Sequence, residues 1–241
     1  MRRFYSERLI GDAESFSIKG QEANHITNVI RLNSGDELIA FDGSGYDYRC
    51  VIESVSKGNV DLRVLSKEYS DNEPETHITL YSASIKKDKI DFAFQKSCEL
   101  GIDSFFVYNA LRSVRIVKDS EKLTERLNRI AVEVSKQCGR SRMPEVGFVR
   151  DTRAVADRIS RHDCVIFAYE EDRTTHISEV ISSDAKDIGI VIGPEGGFEP
   201  EEAELLISGG ARACSLGKLI LRAETAAVFA VSSVLFAKER L

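Results

Sequence analysis

Two glycine-containing segments near the end of the chain combine residue types that could bind a small molecule. The first is IGPEGGF, residues 192–198, and the second is LGKLILRAETA, residues 216–226. Each follows a short apolar run typical of a buried strand and leads into a predicted helix. Loops of this kind let a ligand approach the backbone closely, so the two segments could form two walls of one pocket.

The charge of the first segment argues against phosphate as its ligand. It matches neither the dinucleotide-binding glycine pattern nor the phosphate-binding loop pattern. The entry to the following helix carries four glutamates, Glu195, Glu199, Glu201 and Glu202. These acids satisfy the helix dipole and would repel phosphate, so the ligand should be neutral or cationic. S-adenosylmethionine, a sulfonium without phosphate, fits; a plain strand-to-helix turn with acidic capping is the alternative.

The second segment places two charges at the start of a strongly apolar helix. A short strand is predicted at residues 213–216, and Ile220 and Leu221 are expected to return to the core. Arg222 and Glu224 then precede a helix that runs to about Lys238. Taken alone, this pattern fits a salt-bridged helix start better than a reactive site.

Together, the two segments resemble the second and third signature motifs of the knotted SPOUT methyltransferases, in particular the ribosomal RNA small-subunit methyltransferase E family. The similarity runs nearly end to end. It includes Arg3-Phe4, HITNVIRL at 25–32, FDGSG at 41–45, KKDKIDFAFQKSCELG at 86–101, Arg112-Ser113-Val114 and QCGRS at 137–141. The GPEGG loop would also occur in ribose-methylating relatives. The segments at 96–101 and 137–140 narrow the resemblance to the ribosomal RNA small-subunit methyltransferase E family.

The resemblance implies methyl transfer from S-adenosyl-L-methionine to N3 of a uridine in 16S ribosomal RNA. Arg140 and Arg222 are then candidate cations near the uracil and phosphates, and Glu224 is a candidate orienting group or base. The alternatives are a SPOUT enzyme acting on a ribose 2′-hydroxyl or another base, and a non-catalytic RNA-binding protein.

Further site residues are expected on the same loops and on basic segments. The candidate cofactor contacts are Ala168, Tyr169, Ile192, Gly193, Pro194, Glu195, Gly196, Gly197, Leu216, Gly217, Ile220 and Leu221. The candidate RNA contacts are Arg3, His25, Arg31, Lys86, Lys87, Arg112, Arg115, Arg142 and Lys218. Two positions depart from the family pattern: Lys218-Leu219 stand where relatives carry proline and arginine, and Lys136 stands where they carry glutamate.

Composition predicts a cytoplasmic protein that needs neither a membrane nor a metal. The 241 residues include no apolar run of membrane-spanning length and no N-terminal signal core. Five scattered cysteines and four histidines fit neither a disulfide framework nor a zinc site. The net charge of −6 is unevenly distributed, with a basic excess between residues 86 and 150 that could face a phosphate backbone.

The rhythm of the chain predicts two domains. Residues 1–72 show short strands broken by turn signals, typical of a small β-barrel, and the resemblance implies a PUA-like RNA-binding fold. Residues 73–241 alternate strands and helices, typical of a mainly parallel α/β sheet. The resemblance adds a trefoil knot and a homodimer, and the helix at 226–237, apolar nearly all round, suits burial in a core and an interface. The implied partner is 16S rRNA or the small ribosomal subunit.

Overall fold

Two units with different kinds of sheet make up the computed structural model, which describes residues 1–238. The first unit comprises Met1–Glu73 with Val132–Met143, and the second comprises Pro74–Ala131 with the rest of the chain from Pro144. The last three residues of the predicted second domain, 239–241, lie outside the described residues.

The first unit is built on a five-stranded sheet. Its elements are β1 (Arg3–Tyr5), β2 (Ser15–Lys19), α1 (Gly20–Asn24), a π-helical turn (His25–Val29), β3 (Glu37–Phe41), β4 (Tyr46–Ser56) and β5 (Asn59–Tyr69). The strand order is β1-β3-β4-β5-β2, and only the β1–β3 pair is parallel. Alternate side chains such as Leu38, Cys50 and Leu62 are fully buried with Ile26. The predicted β-rich N-terminal unit is confirmed.

The second unit is built on a six-stranded, wholly parallel sheet. Its strands are β6 (His77–Ala83), β7 (Ser104–Asn109), β8 (Glu145–Asp151), β9 (Cys164–Ala168), β10 (Asp187–Ile192) and β11 (Arg212–Cys214). Its helices are α2 (Lys87–Glu99), α3 (from Ser120 to Cys138), α4 (Thr152–Ile159), α5 (Ile177–Val180), α6 (Pro200–Ser208) and α7 (Ala223–Lys238). The strand order is β11-β9-β10-β6-β7-β8, which confirms the predicted parallel α/β sheet.

Helices cover both faces of this sheet, as near-continuous apolar strands require. On β7, Phe105 packs against Phe94 of α2 with ring centroids 5.0 Å apart. The next residue, Phe106, points to the other face and joins the core formed with α4 and α6. Since α7 packs against α2, α2 and α7 lie on one face, and α4 and α6 lie on the other.

This arrangement opens a crevice at one edge of the sheet. All six strands are parallel, so their carboxyl ends lie at the same edge. β6 and β10 are neighbours, and Ser82 pairs with Ile192 at their ends. The helices that follow them, α2 and α6, leave toward opposite faces. Open α/β sheets bind ligands at such a switch point, outside the carboxyl ends of the strands.

Candidate active site

The glycines of the first loop are required by close packing. A Cβ on Gly193 would overlap the ring of Phe198, which is buried. Gly197 has φ +72°, and a Cβ there would overlap the carboxylate of Glu170. The Gly197 amide donates to the carbonyl of Pro194 at 3.0 Å, which closes the turn. The loop therefore exposes backbone beside a carboxylate, as a cationic ligand requires.

Arg112 holds this loop from the segment after β7. Its Nε and Nη2 donate to the two carboxylate oxygens of Glu199 at 2.8 and 2.9 Å, and Nη1 donates to the carbonyl of Gly196 at 3.2 Å. The hydrogen bonds with Glu199 raise the pKa of Arg112, and those with Arg112 lower the pKa of Glu199. The sequence analysis predicted that Arg112 contacts RNA. In the structure its guanidinium binds Glu199 and the Gly196 carbonyl of the glycine loop.

Glu202 joins three segments beneath the loop. Its buried side chain accepts hydrogen bonds from the amide of Leu111 at 3.0 Å and from the hydroxyl of Thr152. It also accepts one from the amide of Glu199 at 3.2 Å, at the start of α6. The sequence predicted Glu202 only as an acidic helix start, because its partners lie 50 and 91 residues away along the chain.

Aromatic side chains support the carboxyl ends of β9 and β10. Tyr169 stacks on Phe167 with ring centroids 5.0 Å apart, and Phe167 meets Phe198 edge-on at 4.8 Å. The hydroxyl of Tyr108 donates to the carbonyl of Ile192 at 3.0 Å, and burial raises the pKa of that phenol well above its ordinary value. Residues 168–169 and 192–197 therefore lie where these contacts hold the ends of β9 and β10.

The second loop presents apolar side chains outward. Gly217, with φ +131°, donates its amide to the Ser215 hydroxyl at 3.2 Å. The prediction that Ile220 returns to the core is wrong, because Ile220 is 81% exposed and Leu221 is only half-buried. The strand predicted at 213–216 is Arg212–Cys214, and the chain turns away before Leu216. These side chains are free to cover a ligand.

The charged pair at the start of α7 has two different environments. Glu224 is only 6% exposed and pairs with Lys89 Nζ at 2.8 Å. Burial opposes its ionisation, but the hydrogen bond from Lys89, its own backbone amide and the charges of Lys89 and Arg222 outweigh it, so the pKa of Glu224 is lowered. Arg222 is exposed at the edge of the sheet. The sequence did not single out Lys89 as a partner of Glu224.

Three predicted site residues hold the first unit together. Arg140 is buried and pairs with Glu73, whose Oε2 accepts from Arg140 Nη2 at 2.8 Å. Glu73 also accepts from the backbone amide of Arg142 at 3.0 Å. Arg3 binds both carboxylate oxygens of Asp47, at 2.6 and 2.8 Å. Glu73 lies at the predicted boundary between the two domains, and only the fold reveals its role.

The remaining RNA-binding candidates differ in exposure. Arg31, which has φ +64°, and Lys218 are exposed, whereas His25 is half-buried beside Phe4. Lys86, Lys87 and Arg115 line one groove in the second unit.

The described residues were also compared with what a metal site, a reactive thiol or a membrane-spanning helix would require. Between residues 1 and 238, no three His, Cys, Asp or Glu side chains converge as metal ligands would. Burial raises the pKa of Cys50 and of Cys214 to about 12, so both thiols stay protonated. None of the helices in residues 1–238 combines the length and apolar composition needed to cross a bilayer.

Comparison with known proteins defines the class. The family model described as an RNA methyltransferase domain matches residues 72–235, and the model described as an RNA methyltransferase PUA domain matches residues 18–65. The chain thus contains an RNA methyltransferase domain and a PUA domain of the RNA methyltransferase type.

Full-length relatives narrow the class further. The ribosomal RNA small subunit methyltransferase E of Bacillus subtilis is 36% identical, over 100% of this chain and 98% of its own. The crystal structure of the Neisseria gonorrhoeae protein of that name, bound to S-adenosyl methionine, is 26% identical with a TM-score of 0.89, covering 99% of this chain and 98% of that one. A Legionella pneumophila protein in complex with the same cofactor is 27% identical with a TM-score of 0.87, covering 98% and 97%. The chain belongs to the ribosomal RNA small subunit methyltransferase E family.

Proposed function

We propose that the protein transfers the methyl group of S-adenosyl-L-methionine to N3 of a uridine in 16S ribosomal RNA. The observation that carries the proposal is the cradle at the sheet edge: the glycine loop lies against the carboxylate of Glu170, and the loop after β11 leaves the side chains of Ile220 and Arg222 exposed. Family membership supports the RNA methyltransferase class, and the named relatives support the choice of 16S rRNA.

The residues of the cradle fit a sulfonium cofactor. Glu170 lies against Gly197, and the one cation bound to this loop, Arg112, is already engaged by Glu199. A phosphate would meet net negative charge here, whereas a cationic group would be stabilised. Residues 168–169, 192–197, 216–217 and 220–221 would hold the cofactor through backbone groups and apolar contact. When bound, the cofactor supplies an electrophilic methyl group.

The chain's own residues would then prepare the uracil. Uridine N3 is weakly acidic and is normally occupied in base pairing, so the target must be unpaired or extruded. The exposed guanidinium of Arg222 would favour the anionic base. Glu224, whose pKa is lowered, is a carboxylate held by Lys89, which suits an orienting role better than that of a base.

The first unit and the remaining candidates complete the proposal. Residues 1–72 would bind RNA and residues 73–241 would catalyse transfer. Arg31, His25 and Lys218 are proposed RNA contacts together with Arg3, Lys86, Lys87, Arg112, Arg115 and Arg142. The catalytic role of Arg140 stays a prediction, and a test of Arg140→Ala needs a stability measurement beside it because the residue is buried.

Assembly and chain path extend the same proposal. A homodimer is supported by apolar side chains on the outer surface of α7, where Phe229 and Phe236 are 40% and 76% exposed. The trefoil knot stays a prediction. The order β11-β9-β10-β6, in which β10 lies between earlier strands, is compatible with it.

Nucleoside analysis tests the proposed function directly. The purified protein is incubated with S-adenosylmethionine and either 16S rRNA or small subunits from a strain that lacks the enzyme, and the digested RNA is analysed by mass spectrometry. We expect 3-methyluridine. A 2′-O-methylated nucleoside would instead identify a ribose methyltransferase. Absence of any methylated nucleoside, with no cofactor binding in calorimetry, would identify a binding protein.

A further inference from the structure

A basic groove opens beside the candidate active site, between α2 and the start of α3. Its volume is about 710 Å³. It is lined by Ser84, Ile85, Lys86, Lys87, Asp88, Ile90, Val107, Arg115, Ile116, Val117, Lys118, Asp119, Lys122, Leu123, Glu125, Arg126 and Arg129. Seven of these side chains are basic and three are acidic, although the protein as a whole carries a net charge of −6.

Part of this positive charge has no ion-pair partner among residues 1–238. Lys122 pairs with Asp119 at 3.0 Å, and Arg126 pairs with Asp91 at 3.1 Å. The other groove cations include Lys86, Lys87, Arg115 and Lys118, and these four form no ion pair with any residue between 1 and 238. The amino-terminal end of α2, a helix of 13 residues, lies in the same groove and adds its positive dipole. The groove is therefore suited to a polyanion.

The groove is continuous with the candidate active site. Strand β6 ends beside β10, with Ser82 and Ile192 paired about 5 Å apart, and the groove lining begins two residues after Ser82. Helix α2, which forms one wall of the groove, is tied to the start of α7 by the 2.8 Å contact between Lys89 and Glu224. A ligand in the groove would therefore lie next to a base held at Arg222.

We propose that this groove binds the phosphodiester backbone that flanks the methylated nucleotide, without reading its sequence. The inference rests on the proposed function, which supplies the RNA. Proteins that read the sequence of single strands usually stack the bases on aromatic rings and bond to the base edges. Within residues 1–238, the groove is lined by no aromatic side chain. Its unpaired Lys and Arg groups suit phosphates, whose neutralisation gives affinity but no sequence preference.

Salt-dependent binding tests the groove separately from catalysis. The double variant Lys86→Gln/Arg115→Gln removes one cation from each wall. The matched control Arg161→Gln/Lys186→Gln removes one Arg and one Lys that are exposed before β9 and β10, at the opposite edge of the sheet. Fluorescence anisotropy measures the Kd of the wild type and both variants for a 16S rRNA fragment and an unrelated RNA strand at several salt concentrations. Calorimetry measures S-adenosylmethionine binding in parallel.

We expect the groove variant to bind both RNAs roughly 10-fold more weakly near 0.1 M salt, with a slope of log K against log salt that is smaller by about 1.4, because two phosphate contacts are lost. Cofactor affinity should be unchanged, and the control should bind RNA as the wild type does. An unaltered slope, or an equal loss in the control, would overturn the proposal. A loss confined to the 16S fragment would overturn its sequence independence. Failure of the wild type to methylate uridine would refute the proposed function while leaving this comparison interpretable.

Discussion

Arg222 and Glu224 are two residues apart, yet only Arg222 has its side chain exposed at the sheet edge. Because Arg222 supports little packing, Arg222→Ala should lower the methylation rate about 10- to 1000-fold while thermal stability stays close to that of the wild type. Arg222→Lys should recover part of the rate, since it restores a charge without the planar donor geometry. Single-turnover methylation with parallel thermal unfolding checks this. Normal turnover of Arg222→Ala would remove the residue from the mechanism.

The ion pair between Glu224 and Lys89 should make stability depend on pH. Glu224 has a lowered pKa in the folded protein, so its contribution is full above the ordinary value of 4.5 and is lost as pH falls through the folded value. Glu224→Gln should therefore reduce the free energy of unfolding at pH 7 by about 1 kcal/mol, a modest effect because Lys89 is partly exposed. Near pH 3 the difference should shrink. Urea unfolding at both pH values measures it, and a constant difference would contradict the assignment.

At the scale of elements, the turn between β10 and α6 depends on the fit of Gly193 to Phe198. A methyl group on Gly193 would enter the ring, so Gly193→Ala should destabilise the protein by about 1–3 kcal/mol and weaken cofactor binding. Gly193→Ala/Phe198→Leu should recover part of both losses, because the smaller side chain makes room. Gly210→Ala measures backbone strain alone, because Gly210 has φ +99° and open space around it, whereas Gly193 does not have a positive φ. Failure of Phe198→Leu to recover any of the loss caused by Gly193→Ala would show that packing against Phe198 is not the cause.

Also at the scale of elements, Arg112 links the segment between β7 and α3 to the glycine loop. Arg112→Gln should weaken S-adenosylmethionine binding a few-fold, because the loop loses its bonds from Arg112 to Glu199 and to the Gly196 carbonyl. Glu199→Gln should have a smaller effect, and the double variant should be less than additive. Calorimetry on the four proteins gives the coupling. Strict additivity would show that the two side chains act independently.

Elements with strong local signals could be predicted from the sequence. Helix α2 spans Lys87–Glu99, where a helical apolar periodicity is followed by the stop signal Gly101. Strand β8 and the one-turn α5 were not predicted. β8 carries only a weak apolar alternation and gains its place from pairing with β7.

The partners of the site residues could not be predicted in the same way. Arg112 and Glu199 are 87 residues apart, and Arg140 and Glu73 are 67 apart, so no local pattern connects them. Ile220 was expected in the core because it is apolar, but hydropathy does not distinguish a core residue from one that borders a ligand site. The glycine loops themselves were recognised because their constraint lies in the backbone.

At the scale of the whole molecule, the proposed sites for the cofactor, the base and the RNA backbone lie along one edge of the parallel sheet. The glycine loops follow β10 and β11, and the basic groove follows β6 and β7, of which β6 is the neighbour of β10. Parallel pairing alone brings these loops to one edge, although they are as much as 130 residues apart in the chain. The strand order thus places the glycine loops, which present backbone groups, beside the basic groove.

The outer surface of α7 provides a test of assembly. Phe229 and Phe236 lie seven residues apart, so they project from the same side of the helix, and neither is covered by the rest of the chain between residues 1 and 238. Burying two such rings in an interface would contribute several kcal/mol, whereas a charge there would oppose association. Phe229→Glu/Phe236→Glu should therefore elute near 26.9 kDa in size-exclusion chromatography with light scattering, and the wild type should elute at about twice that mass. Ile207→Glu, at an exposed apolar position of α6, should remain dimeric. A dimer that survives the double variant, or is lost in the Ile207 control, would place the interface elsewhere.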